Sequence, residues 1–336
     1  NGNYNLSLGS DTLYNNIDGN YNISLGASAL YSNQYGSENI AIGIGAGYQV
    51  EDNFNTLVGT YSGRNLKNGE NNVYIGRNAG RSLANEFDST AIQYNNIAIG
   101  SNAGINLKNT DENLLIGYQS GYNITTGKTN LLIGYNAGYS AITSSNTLSI
   151  GYQAGYNNLV DGGINIGTNA GFHNSVGTHN MNIGNQAGYN NLSGALNINI
   201  GENAGFSNIT GSNNINIGLC AGLNNDNGSL NITIGTNAGY NLKSDGNIII
   251  GGGAGYYVNS PNNIFIGSYA GQGQNGAYGD NNIGIGYLAL NKVYSGLKNL
   301  AIGDNSLYNN TNGNYNLSLG SDTLYNNIDG NYNISL

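Results

Sequence analysis

The sequence predicts an all-β protein, a β-solenoid of the β-roll or β-helix type with about 19 coils of about 17 residues each. Two observations predict this fold: a glycine returns about every 17 residues, and the same side-chain pattern precedes each of these glycines. A short fixed period means that each copy stacks on its neighbours and cannot fold alone. The marker glycines are Gly9, Gly26, Gly43, Gly59, Gly76, Gly100, Gly117, Gly134, Gly151, Gly167, Gly184, Gly201, Gly218, Gly235, Gly251, Gly267, Gly286, Gly303 and Gly320.

The composition excludes other repetitive classes. Glycine accounts for 55 of 336 residues and proline for one, so neither collagen nor a proline-rich linker fits. An aliphatic residue in the same phase of all nineteen copies argues against a disordered tract. Glycine and asparagine in every copy would make a helix costly. We therefore expect one continuous array over residues 1–336.

Each copy carries a short strand. The residue before the marker glycine is Ile, Leu or Val in all nineteen copies, and the residue three before it is aliphatic or Met in eighteen, with Thr56 as the exception. Such alternation places the two aliphatic residues on one side of a strand and the residue between them on the other. We expect the aliphatic residues to fill the interior. The small residue three positions after the glycine predicts a second inward point, a second place where a side chain points into the coil. The Asn/Gly-rich remainder is expected to form turns.

Stacking in register predicts columns of like side chains about 4.8 Å apart. Asn stands four before the glycine in seventeen copies, and stacked amides can hydrogen-bond along such a column. Tyr or Phe stands five after it in thirteen copies, where packing between coils or chains is expected and a sugar-binding strip is the alternative. The predicted ladders include Ile116, Ile133, Ile150, Ile166, Ile183 and Ile200, then Asn113, Asn130, Asn180 and Asn197, and then Tyr122, Tyr139 and Tyr156.

Composition also limits the partners. Two aliphatic side chains per coil bury little apolar surface, so we expect identical chains to associate along their length. The net charge is −9, only 8% of the residues are charged, and no basic patch is evident, which argues against nucleic acid. No run of eighteen apolar residues occurs, so no membrane insertion is expected in this segment.

No catalytic motif is present, so the chain is not expected to be an enzyme, and neither a cofactor nor a metal is expected. His173 and His179 are interpreted as solvated turn residues, with a metal pair as the alternative. Cys220 has no second cysteine to pair with. One further array lies between the aliphatic positions and is expected to face outward, where ice binding is a minor alternative. It comprises Asn165, Asn182, Asn199, Asn216 and Thr233.

Two irregularities stand out. A longer gap between Gly76 and Gly100 predicts an insertion loop over residues 84–94, and insertions in solenoids often form the binding face. If the chain makes a specific contact, we expect it at Glu86, Phe87, Asp88 and Tyr94; a neutral bulge is the alternative.

The two ends of the chain are also unusual, because residues 1–25 and 312–336 are identical. This identity predicts a 311-residue unit repeated in tandem in a longer polypeptide. The alternative is that one end copies the other as an artefact of sequence assignment.

The segment NNIAIGSNAG at residues 95–104 resembles the head-domain repeat of trimeric autotransporter adhesins, and similar repeats occur in viral and bacterial fibre proteins. The resemblance covers residues 6–319 and implies a trimeric left-handed β-roll at an extracellular, cell or virion surface. The coil here is longer than the usual coil of that family. Together these observations predict a structural extracellular fibre protein that forms a stiff rod for scaffold, matrix or reach. The alternative is an adhesin or tail-fibre module that recognises a surface glycan or protein.

Overall fold

The computed structural model describes residues 2–82, 92–277 and 279–336. Over these residues the chain is a parallel β-solenoid of about 19 turns, with about 17 residues per turn and no helix in the described part. The predicted fold class is therefore confirmed. The chain divides into two compact units, Asn1–Ile166 and Gly167–Leu336.

Ten strands of the first unit form one parallel sheet in chain order, and β6 pairs separately with β8. Each strand is three residues long and pairs in full register with the equivalent strand of the next coil, as Leu131 does with Leu148. The strands are β1 (Leu6–Leu8), β2 (Ile23–Leu25), β3 (Ile40–Ile42), β4 (Thr56–Val58), β5 (Val73–Ile75), β6 (Ile92–Tyr94), β7 (Ile97–Ile99), β8 (Asn109–Asp111), β9 (Leu114–Ile116), β10 (Leu131–Ile133), β11 (Leu148–Ile150) and β12 (Ile164–Ile166).

The second unit repeats this arrangement in one parallel sheet, again with identical positions paired from coil to coil. Its strands are β13 (Met181–Ile183), β14 (Ile198–Ile200), β15 (Ile215–Ile217), β16 (Ile232–Ile234), β17 (Ile248–Ile250), β18 (Ile264–Ile266), β19 (Ile283–Ile285), β20 (Leu300–Ile302), β21 (Leu317–Leu319) and β22 (Ile334–Ser335).

Hydrogen bonds between coils continue beyond the short strands. The amide of Gly201 donates to the carbonyl of Ile183 at 2.8 Å, and the amide of Gly205 donates to the carbonyl of Ala221 at 2.9 Å. Further round the coil, the amide of Ile209 donates to Asp226 at 2.8 Å. Alternate residues of the turns thus bond to the coil above or below, which satisfies backbone groups that would otherwise be buried without partners.

The prediction that the paired aliphatic residues fill the interior is wrong. The residue between them is the buried one in each unit, as at Leu115 in the first and Asn199 in the second, whereas the aliphatic residues on either side are only partly buried. Side chains alternate along a strand, so this central residue shares its side with the Asn four before the glycine, which is also buried. The narrow coil therefore encloses one strand residue and its Asn neighbour, and the aliphatic pair faces outward.

Hydrogen bonds along the stack allow amides to occupy this interior. The Nδ2 of Asn199 donates to the Oδ1 of Asn182 at 2.9 Å, and the Nδ2 of Asn216 donates to Asn199 at 2.8 Å. Thr233 completes the row by donating its hydroxyl to Asn216 at 2.7 Å. A buried amide costs little when it is paired. The array predicted to face outward is instead core, and the ice-binding alternative, which needs an exposed array, is overturned.

The predicted second inward point is confirmed, because the Ala side chains three after the marker glycines are fully buried. They pack with large central residues, such as Tyr74 in the first unit and Phe265 in the second. The Ala column is formed by Ala29, Ala46, Ala79, Ala103, Ala137, Ala154, Ala170, Ala187, Ala204, Ala221, Ala238, Ala254, Ala270 and Ala289.

The marker position requires glycine for two reasons, as Gly184 illustrates. Its φ is +134°, a backbone conformation that side chains disfavour. A Cβ there would lie 2.5 Å from the carbonyl oxygen of Gly201 in the next coil, which is part of the backbone and cannot move aside. A side chain would therefore separate the two coils.

We predict that Gly184→Ala destabilises the second unit by about 3 kcal/mol, because it adds backbone strain and a clash with the adjacent coil. The matched control is Gly252→Ala, whose new Cβ would meet only the Ser268 hydroxyl at 3.5 Å. Chemical denaturation followed by circular dichroism measures both variants. Equal midpoints for the two variants would contradict this account of the marker glycine.

Candidate functional site

The outward strand residues form an apolar surface, which we call the aliphatic face. It consists of the residues one and three before each marker glycine, all partly exposed in the middle coils. Register pairing places Ile133 beside Ile116 and Ile150, and Ile183 beside Ile200. In the first unit the face includes Leu114, Ile116, Leu131, Ile133, Leu148, Ile150, Ile164 and Ile166, and in the second Met181, Ile183, Ile198, Ile200, Ile215, Ile217, Ile232 and Ile234. Extended exposed apolar patches typically mark interaction surfaces.

The predicted asparagine ladder is present in both units. Oδ1 of Asn180 accepts the backbone amide of Asn197 at 2.9 Å, and Nδ2 of Asn197 donates to the carbonyl of Gly211 at 2.8 Å. In the first unit, Oδ1 of Asn113 accepts both the backbone amide and the Nδ2 of Asn130 at 3.0 Å. Each ladder residue thus links its own coil to the next, and the ladder joins the strand to the returning turn.

The aromatic residues five after the marker glycine form stacks. The ring of Tyr139 lies 4.9 Å from Tyr122 and 5.0 Å from Tyr156, measured between centroids, with interplanar angles of 14° and 4°. Burial, with smaller contributions from the neighbouring tyrosines, raises the pKa of Tyr139. Each inner ring is covered on both faces by its neighbours, so a partner meets ring edges and hydroxyls.

A second aromatic stack escaped the sequence analysis. Tyr118, Tyr135 and Tyr152 each directly follow a marker glycine, and their ring centroids lie 5.2 and 5.3 Å apart. The three side chains are 43%, 45% and 49% exposed. Tyr in the same phase of three consecutive copies was the available signal, and in-register stacking converts it into one exposed row of phenols.

The predicted contact loop is described only at its end. Glu86, Phe87 and Asp88 lie outside the described residues, as do all residues from 83 to 91. Tyr94 ends β6, pairs with Asp111 and is 38% exposed. A hollow of about 220 Å³ lies beside it and is lined by Ile92, Tyr94, Asn109, Thr110, Asp111 and Lys128.

A larger groove of about 410 Å³ occurs in the second unit. Two columns of side chains line it. The column six residues after the marker glycines is polar, and the column eight residues after them is mostly aliphatic. Burial lowers the pKa of His173, which contacts the rings of Phe172 and Tyr189 edge-on. The lining residues are His173, Asn190, Leu192, Ser207, Ile209 and Asp226.

The other two candidate reactive residues are His179 and Cys220. His179 is exposed, and Cys220 is partly buried, which raises the pKa of its thiol. Among residues 2–82, 92–277 and 279–336, no three His, Cys, Asp or Glu side chains are grouped to hold a metal ion. The same residues include no helix with the length and hydropathy needed to span a membrane.

Comparison with models of known protein families, with characterised proteins and with solved structures gave no match to this chain. The candidate site is therefore interpreted from its own geometry, which comprises an aliphatic face, aromatic stacks and hollows that follow the coil period.

We predict that Asn197→Ala destabilises the second unit by about 2 kcal/mol, because it leaves the buried amide of Asn214 without its acceptor and removes one of the two amide donors to the carbonyl of Gly211, the other being Asn208. Asn185→Ala, at an exposed position of the same coil, is the control and should change stability by less than about 0.5 kcal/mol. Urea denaturation of the two variants measures the difference. Similar losses in both would show that the ladder contributes no special stability.

Proposed function

We propose that this chain is a structural protein of an extracellular fibre and that identical chains associate along its aliphatic face. The observation that carries the proposal is the face itself, because each middle coil leaves two aliphatic side chains partly exposed while its backbone is already paired. The bonded coils supply stiffness along the stack, and the apolar face supplies a lateral contact. A rod for scaffold, matrix or reach needs both properties.

An identical chain fits this face better than a globular partner. The aliphatic residues recur with the strand spacing of about 4.8 Å, and an identical face carries the same spacing over many coils. Two such faces can interdigitate as packed sheets do, about 10 Å apart. The face contains no charged side chain in the coils from β9 to β18, so it offers little basis for selecting an unrelated partner.

The resemblance to trimeric autotransporter heads supports three chains around a common axis and a location on a cell or virion surface. In that arrangement the aliphatic face of each chain would line the centre of the trimer. The in-register solenoid is compatible with it.

The second candidate function is an adhesin or tail-fibre module that binds a surface glycan or protein. The hollow beside Tyr94 favours it, because it combines an exposed phenol with Asp111 and Lys128 within one small concavity. Mixed polar and apolar lining suits a sugar, whose hydroxyls and C–H groups need both kinds of contact.

We predict that the double variant Ile133→Lys and Ile150→Lys weakens self-association at least about 100-fold, because two charges would be buried at an apolar interface. The control is Ile142→Lys, which changes an isoleucine that is 48% exposed and lies outside the aliphatic face. Sedimentation velocity measures the oligomer, and circular dichroism checks the fold. A wild-type chain that stays monomeric at high micromolar concentration would overturn the proposed association.

For the second candidate function, we predict that Tyr94→Ala abolishes saturable binding to an array of cell-surface glycans, while Tyr35→Ala does not. Tyr35 is a suitable control because it is 61% exposed and lies far along the chain from the hollow. Binding that is absent in the wild-type chain, or equal in both variants, would remove this candidate.

A further inference from the structure

We propose that the exposed stack of Tyr118, Tyr135 and Tyr152 is a site of oxidative cross-linking, at which dityrosine bonds join successive coils of the same chain. The oxidant is hydrogen peroxide used by a haem peroxidase. This proposal is independent of the proposed function, because it concerns bonds within one chain.

The geometry places two phenols beside each other at every step of this stack. Ring centroids are 5.2 Å apart for Tyr118 and Tyr135 and 5.3 Å apart for Tyr135 and Tyr152, with interplanar angles of 18° and 11°. Parallel strand pairing aligns the rings in the same direction, since Ile116, Ile133 and Ile150 before them are in register. The hydroxyls and the ring carbons ortho to them therefore lie on the same side of the stack.

The peroxidase uses one hydrogen peroxide to remove one hydrogen atom from each of two phenol hydroxyls, and the peroxide becomes two water molecules. The two tyrosyl radicals pair their unpaired electrons in a carbon–carbon bond between ring positions ortho to the oxygens. The hydrogen on each coupled carbon then moves to the phenolic oxygen as a proton, which restores both aromatic rings.

Proximity favours this bond over bonds between molecules. Reacting groups held side by side behave as if at very high local concentration, whereas two free chains must meet by diffusion. The rings must move closer than their resting separation to bond. Exposed side chains sample other rotamers within nanoseconds, and these three are almost half exposed.

Two other sets of tyrosines in the same chain can be compared with this stack. The stack of Tyr122, Tyr139 and Tyr156 has similar spacing, but its rings are less exposed and so less accessible to an oxidant. Tyr287 occupies the same position after its marker glycine as Tyr135 and is 49% exposed. Its equivalents in the two adjacent coils are Ser268 and Asp304, so no phenol lies directly above or below it.

A bond between successive coils would close a loop of about 17 residues. Cross-links of this length reduce the entropy of the unfolded chain and resist local opening of the coil. The expected consequence is a solenoid whose central coils separate less readily after oxidation.

The test treats the full chain with a haem peroxidase and hydrogen peroxide at two protein concentrations tenfold apart. Trypsin cleaves after Lys108 and Lys128, so Tyr118 lies in peptide 109–128 and Tyr135 in peptide 129–243. We expect these two peptides to be joined, with fragment spectra locating the bond at Tyr118 and Tyr135. The fraction of cross-linked chains that keep the mass of a single chain should not change with dilution.

Tyr135→Phe should reduce the yield of the joined peptides 109–128 and 129–243 several-fold, because it removes the partner of Tyr118; dityrosine from other exposed stacks, such as Tyr4 with Tyr21, does not join these two peptides. Tyr287→Phe should leave the yield of these joined peptides unchanged, and circular dichroism should show both variants folded. The proposal is overturned if the cross-linked species are dimers or larger whose yield falls on dilution, or if Tyr135→Phe and wild type give equal yields of the joined peptides 109–128 and 129–243.

Discussion

The structure depends on the hydrogen bonds between successive coils. They connect the strands in register and continue through the turns, as the bonds from Gly205 to Ala221 and from Ile209 to Asp226 show. Because each coil is aligned with the next, every side chain lies beside the equivalent residue about 17 positions away. Amide ladders, aromatic stacks and the aliphatic face all follow from this alignment, and the marker glycine preserves it by allowing two coils to approach closely.

The same alignment explains how amide side chains can share the core with Ala and Leu while isoleucines remain partly exposed. A buried amide such as Asn199 is stable because the coil on each side supplies its hydrogen-bond partner. An isoleucine side chain needs no hydrogen-bond partner and can remain partly exposed. Its exposure to water costs free energy, which association with another apolar face would recover. A solenoid of this kind satisfies its backbone within one chain and leaves its hydrophobic surface for lateral contact, which is the basis of the proposed fibre.

Stacking also decides what the aromatic residues can do. Rings arranged face to face cover one another, so the tyrosine stacks present edges and hydroxyls to their surroundings. This arrangement is poorly suited to stacking of a sugar on a ring face, but it holds phenols side by side, so that a small rotamer change brings two of them into contact. The stack of Tyr118, Tyr135 and Tyr152 is an example with three exposed rings, and its proposed cross-links would reinforce the bonds between coils.

The period, the strand positions and the asparagine ladder could be predicted from the sequence alone, because each depends on a residue type that returns in the same phase. The direction in which the strand residues face could not. Alternation shows that Ile198 and Ile200 lie on the opposite side from Asn199, but it does not show which side is inside. Hydrophobicity predicted that the isoleucines face inward. Only the tertiary structure decided the matter, because the coil is narrow and Asn199 finds its hydrogen-bond partners in neighbouring coils.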